Sequence, residues 1–293
     1  MSQVDREAMT DRSLELIVTD CPLPTGLRLR TELSARSLRH ALKHGYLHER
    51  TDGTIPSILF GCDEEGRHGN FHPASYRSIG ETPGWAKRLG KVHTAYRRAR
   101  VRANWAWKEL DCSSSSDALL MNVFCYPDLM GVPAVRALLG SDGADVPEFG
   151  VRPRTPSSNG RKDNTEIDMR LGDLFVEAKL TESDFQIADA RLVRRYRDLE
   201  TVFEMGELPL RNRKHVGYQL IRGIRAAYAA EGSFCVFCDA RRPDLSECWY
   251  RVMRAVRLYD LRCRLKLLTW QELAGVVPGD LQEFLALKYG IVA

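Results

Sequence analysis

Asp168, Glu177 and Lys179 are the side chains of this sequence whose types and spacing best suit metal-assisted hydrolysis. They lie in the stretch from Thr165 to Thr181, which predicts two strands joined at Gly172-Asp173, because a Gly-Asp pair between alternating apolar residues is a two-residue hairpin signal. In that register Leu171 faces Leu174, Asp168 faces Glu177 and Glu166 faces Lys179. Side chains alternate along a strand. Ile167, Met169, Leu171, Leu174, Val176, Ala178 and Leu180 therefore form an apolar face that must be buried, and Glu166, Asp168, Arg170, Phe175, Glu177 and Lys179 form the other. Like charges placed opposite one another cost up to about 1 kcal/mol, so Asp168 and Glu177 call for a compensating cation. Mg²⁺ answers that need, since it is held by one or two carboxylates plus waters and phosphate oxygens. Lys179, on the same face, could contact a scissile phosphate or the attacking water. The competing reading is a solvated strand face with a Glu166 to Lys179 ion pair, ordinary in antiparallel sheets.

Asp168, eight intervening residues, then Glu177-Ala178-Lys179 resemble the PD-(D/E)XK signature of the restriction-endonuclease-like nuclease superfamily, with Ile167 where the signature writes Pro. The resemblance implies a three-layer α/β core, a mixed central sheet flanked by helices, and a magnesium-dependent nuclease, manganese being an acceptable substitute. It implies Asp168, Glu177 and the Ala178 carbonyl as metal ligands, with Lys179 orienting the water. The RecB-type members carry a helical Gln near the metal, which makes Gln219 a further catalytic candidate, although Gly223 stands where their motif has Tyr. The helix before the core sheet often adds an acid. Here it offers Asp117 and Asn122 but no Glu, and Glu166 is another second-tier candidate. DNA is the expected partner, and a homodimer is compatible with this reading.

The length of 293 residues allows two domains, or one with substantial additions. The division expected is an N-terminal extension over 1–104, partly irregular and with a basic helix, a nuclease core over 105–275, and a C-terminal helix over 276–293. Apolar content of 44% and charged content of 28% describe a globular protein. No apolar run reaches the roughly 18 residues of a membrane span, and the start lacks the character of a signal peptide, so a cytoplasmic protein with no membrane partner is expected. A net charge of +4 is mild, and nucleic-acid contact would rest on local clusters.

Eight cysteines without a secretory signal read as reduced thiols. Cys235 and Cys238 sit in a strand reading as buried on both faces, and their spacing puts the sulfurs on opposite faces, where they cannot share an ion. Cys62, His68 and His72 have spacings that zinc could use, but a closed structural site needs four ligands and no fourth is visible. A zinc-stabilised interaction protein is the third class of function, behind the nuclease and a nucleic-acid-binding protein that keeps the nuclease fold without turnover.

Several elements must position these residues. Thr31 to His44 suits a basic helix, and Gly61 to Pro83 reads as irregular. Thr82-Pro83 opens a predicted helix toward Leu110, whose Trp85, Leu89, Val92, Tyr96, Ala99 and Ala103 oppose a basic stripe of Lys91, Arg97, Arg98, Arg100 and Arg102 suited to phosphates. Ser113 to Ser116 is either a linker or the cap of a buried helix from Asp117 to Phe124. A helix over Pro133 to Leu139 and a strand over Pro147 to Arg152 follow. Pro153 to Asn164, with Arg161 and Lys162, reads as a mobile basic loop beside the metal. Ser183 to Gln186 has the form of a capping box opening a helix toward Phe203, and Val216, Leu220, Ile221, Ile224, Ala227 and Tyr228 mark the amphipathic helix carrying Gln219. A strand over 233–240, a helix from Asp244 to about Val256, a strand from Arg264 to Leu268 and a capping box at Thr269 to Glu272 complete the alternation. The segment from Asp239 to Asp244 is expected to turn near the site, with Arg241 and Arg242 either facing it or simply solvated.

Overall fold

The computed structural model describes residues 24–52, 55–92, 108–141, 145–158 and 160–293. In chain order its first half contains α1 (Thr25–His44), β1 (His48–Arg50), β2 (Ile58–Phe60), α2 (Pro73–Glu81), α3 (Pro83–Leu89), α4 (Ser116–Phe124) and α5 (Pro133–Leu139). β3 (Glu148–Val151), β4 (Ile167–Leu171), β5 (Leu174–Ala178), β6 (Ile187–Asp189), α6 (Ala190–Val193), α7 (Leu199–Val202), β7 (Leu210–Arg211), β8 (Lys214–Val216) and α8 (Tyr218–Ala229) follow. The chain continues through β9 (Ser233–Cys238), α9 (Pro243–Arg254), α10 (Tyr259–Cys263), β10 (Leu265–Thr269), α11 (Trp270–Ala274) and α12 (Gly279–Tyr289).

The hairpin forms in the expected register. Gly172 takes φ 59°, the left-handed conformation that the first central position of a primed two-residue turn demands, and Met169 pairs with Val176, Arg170 with Phe175 and Leu171 with Leu174. β4 and β5 lie within a five-stranded mixed sheet of order β10-β9-β5-β4-β3, antiparallel from β3 to β5 and parallel from β5 through β9 to β10. Strands in the parallel part are covered on both sides and read as continuous apolar runs. In β9 every residue after Ser233 is buried.

Helices cover both faces, giving three layers. On one side Met169, Leu171, Val176 and Phe237 pack against Leu119, Leu120 and Val123 of α4 and Trp270 and Leu273 of α11. Leu29 and Leu33 of α1 and Leu281, Leu285 and Tyr289 of α12 join the same core. On the other side Phe175, Phe234 and Val236 pack against Leu220, Ile221 and Ile224 of α8 and Leu245, Trp249 and Val252 of α9. Ile167, at the first position of β4, joins this second core and not the first. Cys235 and Cys238 fall in opposite cores, as their spacing requires. The hairpin face carrying Phe175 and Glu177 is thus buried under α8, and the solvated face with a Glu166 to Lys179 pair does not exist: Lys179 bonds Glu177, and Glu166 bonds Arg88 and Lys91.

The elements depart from expectation at several points along the chain. The helix opened by Pro83 ends at Leu89, and Val92 bridges Lys108 in antiparallel fashion before a short 3-10 turn over Glu109–Asp111. Arg97, Arg98, Arg100 and Arg102 lie outside the described residues. Ser183 to Gln186 does not cap a helix. Asp184 Oδ1 takes the Gln186 N–H at 2.6 Å, a side chain competing for the backbone as Asp does in turns, and Gln186 adopts φ 63°. The chain then enters β6, which pairs with β8, so Val216 ends a strand instead of lying in α8. The irregular segment from Gly61 contains α2, with Pro73 at its start and His72 accepting the Ala74 N–H as the cap. The loop from Pro153 is bonded to itself through Ser157 N–H to the Arg161 carbonyl at 2.8 Å and Asp163 N–H to the Thr155 carbonyl at 2.8 Å. The serine run resolves as a cap, Ser115 accepting the Ala118 N–H at the start of α4.

Candidate active site

Asp168 and Glu177 stand at one end of the sheet, where β4 begins and β5 finishes. The ladder between the strands stops at Met169 and Val176, and beyond it Asp168 Oδ2 accepts the Ala178 N–H at 2.8 Å. Glu177 is 2% exposed, and its Oε1 accepts from Lys179 Nζ at 2.6 Å and from Gln219 Nε2 at 2.5 Å. A buried carboxylate without such donors would carry a large desolvation cost. Lys179 is fixed by its backbone, its N–H donating to the Phe237 carbonyl at 2.8 Å and its carbonyl accepting the Trp270 Nε1–H at 2.9 Å. Gln219 sits in the first turn of α8, which Gly217 opens at φ 80° and which is tied down by the Gln219 N–H donating to the Phe185 carbonyl at 2.9 Å. Gly223, one turn further on, has no room for a side chain, since a Cβ there would lie 2.2 Å from the Phe234 ring.

A second ring of charge surrounds this centre. Asp117 is in the first turn of α4, and Glu166 immediately precedes β4. Arg88 bridges them, with Nη2 2.7 Å from Asp117 Oδ2 and Nη1 2.7 Å from Glu166 Oε1. Lys91 Nζ reaches the same two oxygens at 3.1 and 3.3 Å. Arg242, 1% exposed, donates to the carbonyls of Leu180, Glu182 and Ser183 and so holds the chain leaving Lys179. Arg241 is tied to Asp239 and Glu32. Asn122 is not brought here. It is fully buried on α4, accepting the His72 N–H and donating to the Asn70 and Ala118 carbonyls. Arg161 and Lys162 are exposed on the loop before β4.

The electrostatics follow from this packing. Burial, then the neighbouring charges of Glu177 and Asp117, raise the Asp168 pKa well above the ordinary carboxylate range. Burial works to lower the Lys179 pKa, but Glu177, Asp168 and Glu182 outweigh it and raise it, so the group is a cation at neutral pH. Among the described residues no hydrogen bond reaches Asp168 Oδ1 or Glu177 Oε2, while the other oxygen of each carboxylate is engaged. Two free hard oxygens on carboxylates that repel one another fit Mg²⁺, which completes its shell with waters and substrate phosphate oxygens. No group of three or more His, Cys, Asp or Glu side chains able to hold a metal occurs among the described residues. Cys62, His68 and His72 are not assembled into a zinc site: Cys62 is exposed, His68 Nε2 lies 3.2 Å from Asp111 Oδ1, and His72 Nδ1 caps α2.

Arg88 is not among the candidates the sequence offers, and Lys91 belongs there to the basic stripe suited to phosphates. Because α3 stops at Gly90, Lys91 turns inward beside Arg88, three positions earlier. The three-residue spacing of the two cations across a glycine was the available signal.

A family model described as Restriction Endonuclease associating with ARP matches residues 40–290. No curated protein and no solved structure matches the chain.

Proposed function

Because the chain belongs to this family of restriction endonucleases, whose membership implies a nuclease, we propose that it is a magnesium-dependent deoxyribonuclease with its reaction centre at Asp168, Glu177, Lys179 and Gln219. The observation that carries the reading is the buried Glu177 carboxylate, with Oε1 committed to Lys179 and Gln219 and Oε2 without a hydrogen-bond donor among the described residues. Mg²⁺, or Mn²⁺ in its place, held by Asp168, Glu177 and the Ala178 carbonyl, would polarise the phosphate and acidify the attacking water. Lys179, charged and fixed at 2.6 Å from Glu177, orients that water and stabilises the charge that builds on the phosphoryl oxygens. Gln219 holds Glu177 in the rotamer that keeps Oε2 free. Arg161 and Lys162, with Arg97, Arg98, Arg100 and Arg102, take the phosphates flanking the cut, each contact releasing counterions.

The rival, a nucleic-acid-binding protein without turnover, was motivated by the missing Glu in the helix before the sheet. Asp117 in the first turn of that helix is close enough to raise the Asp168 pKa, which weakens the motive. DNA is the partner on this reading, a homodimer would bring two centres to a duplex, and the protein acts in the cytoplasm. Among the described residues no helix is long and apolar enough to cross a membrane. The reading is tested with circular duplex, linear duplex and single-stranded DNA in Mg²⁺ and in EDTA. Cutting of at least one substrate in Mg²⁺ alone is expected, and binding without cutting under every divalent ion tried would favour the rival.

A further inference from the structure

We propose that the β7–β8 ribbon and the α6 segment beside it form a phosphate-binding wing that selects duplex over single-stranded DNA. This rests on the nuclease reading and specifies the strandedness of its substrate. The wing is inserted between β5 and α8, where β6, β8 and β7 pair as a separate three-stranded sheet.

Exposed cations gather there. Arg191, Arg194 and Arg195 lie on and just after α6, and Arg211, Arg213 and Lys214 surround the turn of the ribbon. The two groups adjoin, because the Ala190 N–H donates to the Arg213 carbonyl at 3.1 Å. Among the described residues none of these six side chains is tied up in a hydrogen bond or ion pair. Nearby acids are already engaged: Arg254 takes Glu207 at 2.9 Å, Arg197 lies 3.9 Å from Asp198, and Asp189, opposite Lys214 in the ladder, accepts the backbone N–H of Arg191 at 2.8 Å. The turn itself is unusual. Asn212 at φ 51° and Arg213 at φ 60° make a primed two-residue turn, and glycine suits its second position better than a long side chain does. Strain held at an exposed position points to a task outside the fold.

The wing is fixed to the reaction centre. The Ser158 N–H donates to the Arg195 carbonyl at 2.8 Å, joining α6 to the loop that carries Lys162. Tyr196 donates to Asp163 Oδ2 at 2.6 Å and meets the Tyr218 hydroxyl at 2.9 Å, one residue before Gln219. Arg225, 1% exposed, braces the segment from below, its guanidinium 4.6 Å from the Tyr196 ring and its Nη2 donating to the Arg197 carbonyl at 2.6 Å. A firmly held cationic surface running up to the catalytic groups fits a polyanion that passes through them. Duplex DNA is favoured over a single strand on two grounds. Single strands are held largely by stacking on exposed aromatic rings, and Tyr196 and Phe203, the aromatic residues between β6 and β8, are both buried. The same phosphate contacts also release more counterions from duplex than from single strands.

The test is the affinity of the full chain, in Ca²⁺, for a short fluorescent duplex and for either of its separated strands across a salt series. Wild type should bind the duplex at least about tenfold more tightly than the strands. Arg194→Ala with Arg195→Ala should weaken duplex binding at least about tenfold and flatten its salt dependence by roughly 0.9 slope units per lost contact. Arg213→Gly, which relieves the turn, should melt no lower than wild type yet bind the duplex at least about threefold more weakly, so it carries the test if the double variant does not fold. Wild-type affinity and salt slope in both variants, or equal wild-type affinity for duplex and strands, overturns the proposal, and Mg²⁺-dependent cutting by wild type would then leave the nuclease reading standing. A wild type that neither binds nor cuts DNA overturns both.

Discussion

Replacing Asp168 by Asn and Glu177 by Gln should move the stability of the metal-free protein in opposite directions. Both variants remove one charge from the same opposed pair, and from the sequence alone either should relieve the repulsion. The structure separates them. Among the described residues Asp168 is bonded only to the Ala178 N–H, a donor that the Asn carbonyl can also satisfy, and its charge is opposed by burial, Glu177 and Asp117. Asp168→Asn should therefore stabilise the apo protein by about 1 kcal/mol, the upper range for opposed like charges on a hairpin, or roughly 2 °C in a chain of this size. Glu177 is instead the counter-charge of Lys179, with side chains 2% and 5% exposed. Glu177→Gln leaves a buried ammonium with a neutral acceptor, and breaking one side of a buried pair costs about 3–5 kcal/mol. The low end, about 3 kcal/mol, is expected because the amide oxygen still accepts a bond. Urea unfolding in EDTA measures both, and adding Mg²⁺ at a hundred times its dissociation constant should stabilise wild type alone by about 2.7 kcal/mol. Stabilisation by Glu177→Gln, or destabilisation by Asp168→Asn, would refute the assignment of Lys179 to Glu177 and of the strain to Asp168.

The remaining expectations follow from the same geometry. Since folding raises the Asp168 pKa, the stability linked to it is complete below the ordinary carboxylate value of about 3.9 and is lost as pH rises through the folded value; apo wild type should lose stability across that window relative to Asp168→Asn, and parallel pH profiles would contradict this. Gly223→Ala should cost about 1–3 kcal/mol by overpacking against Phe234, and an unchanged urea midpoint would contradict the fit of α8 on β9. Arg161→Ala with Lys162→Ala should weaken DNA binding and flatten its salt dependence by roughly 0.9 slope units per lost phosphate contact, whereas an unchanged slope would remove that loop from the DNA surface.

The hairpin was legible because its signals are local: a Gly-Asp turn and a period of two fix register and faces within a few residues. The helices at Asp117 and Pro133 and the capping box at Thr269 were legible for the same reason, and both halves of that box form, Thr269 Oγ1 accepting the Glu272 N–H and Glu272 accepting the Thr269 N–H. The related pattern Ser-Asp-Phe-Gln at Ser183 failed because Asp184, inside the pattern, took the Gln186 N–H, and because the pairing of β6 with β8 joins segments far apart in sequence. Gln219 could be proposed as a residue type on a helix, but its contact with Glu177 depends on how α8 lies across β5. Arg88 was invisible in the same way, since its bond to Glu166 spans 78 residues. The sequence carries the chemistry of the two strands, while the charges that tune it arrive through tertiary packing.

The central claim is that Lys179, held by Glu177 beside Asp168, acts on the chemical step of a metal-dependent DNA cleavage. Single-turnover cleavage with protein in excess over DNA, comparing wild type and Lys179→Ala in Mg²⁺ with DNA affinity measured alongside in Ca²⁺, tests it most directly. The account predicts a rate at least about a hundredfold lower with affinity retained, because a transition-state contact is lost and not a ground-state one. A Lys179→Ala rate equal to wild type, or a loss of affinity that accounts for the whole effect, would contradict it.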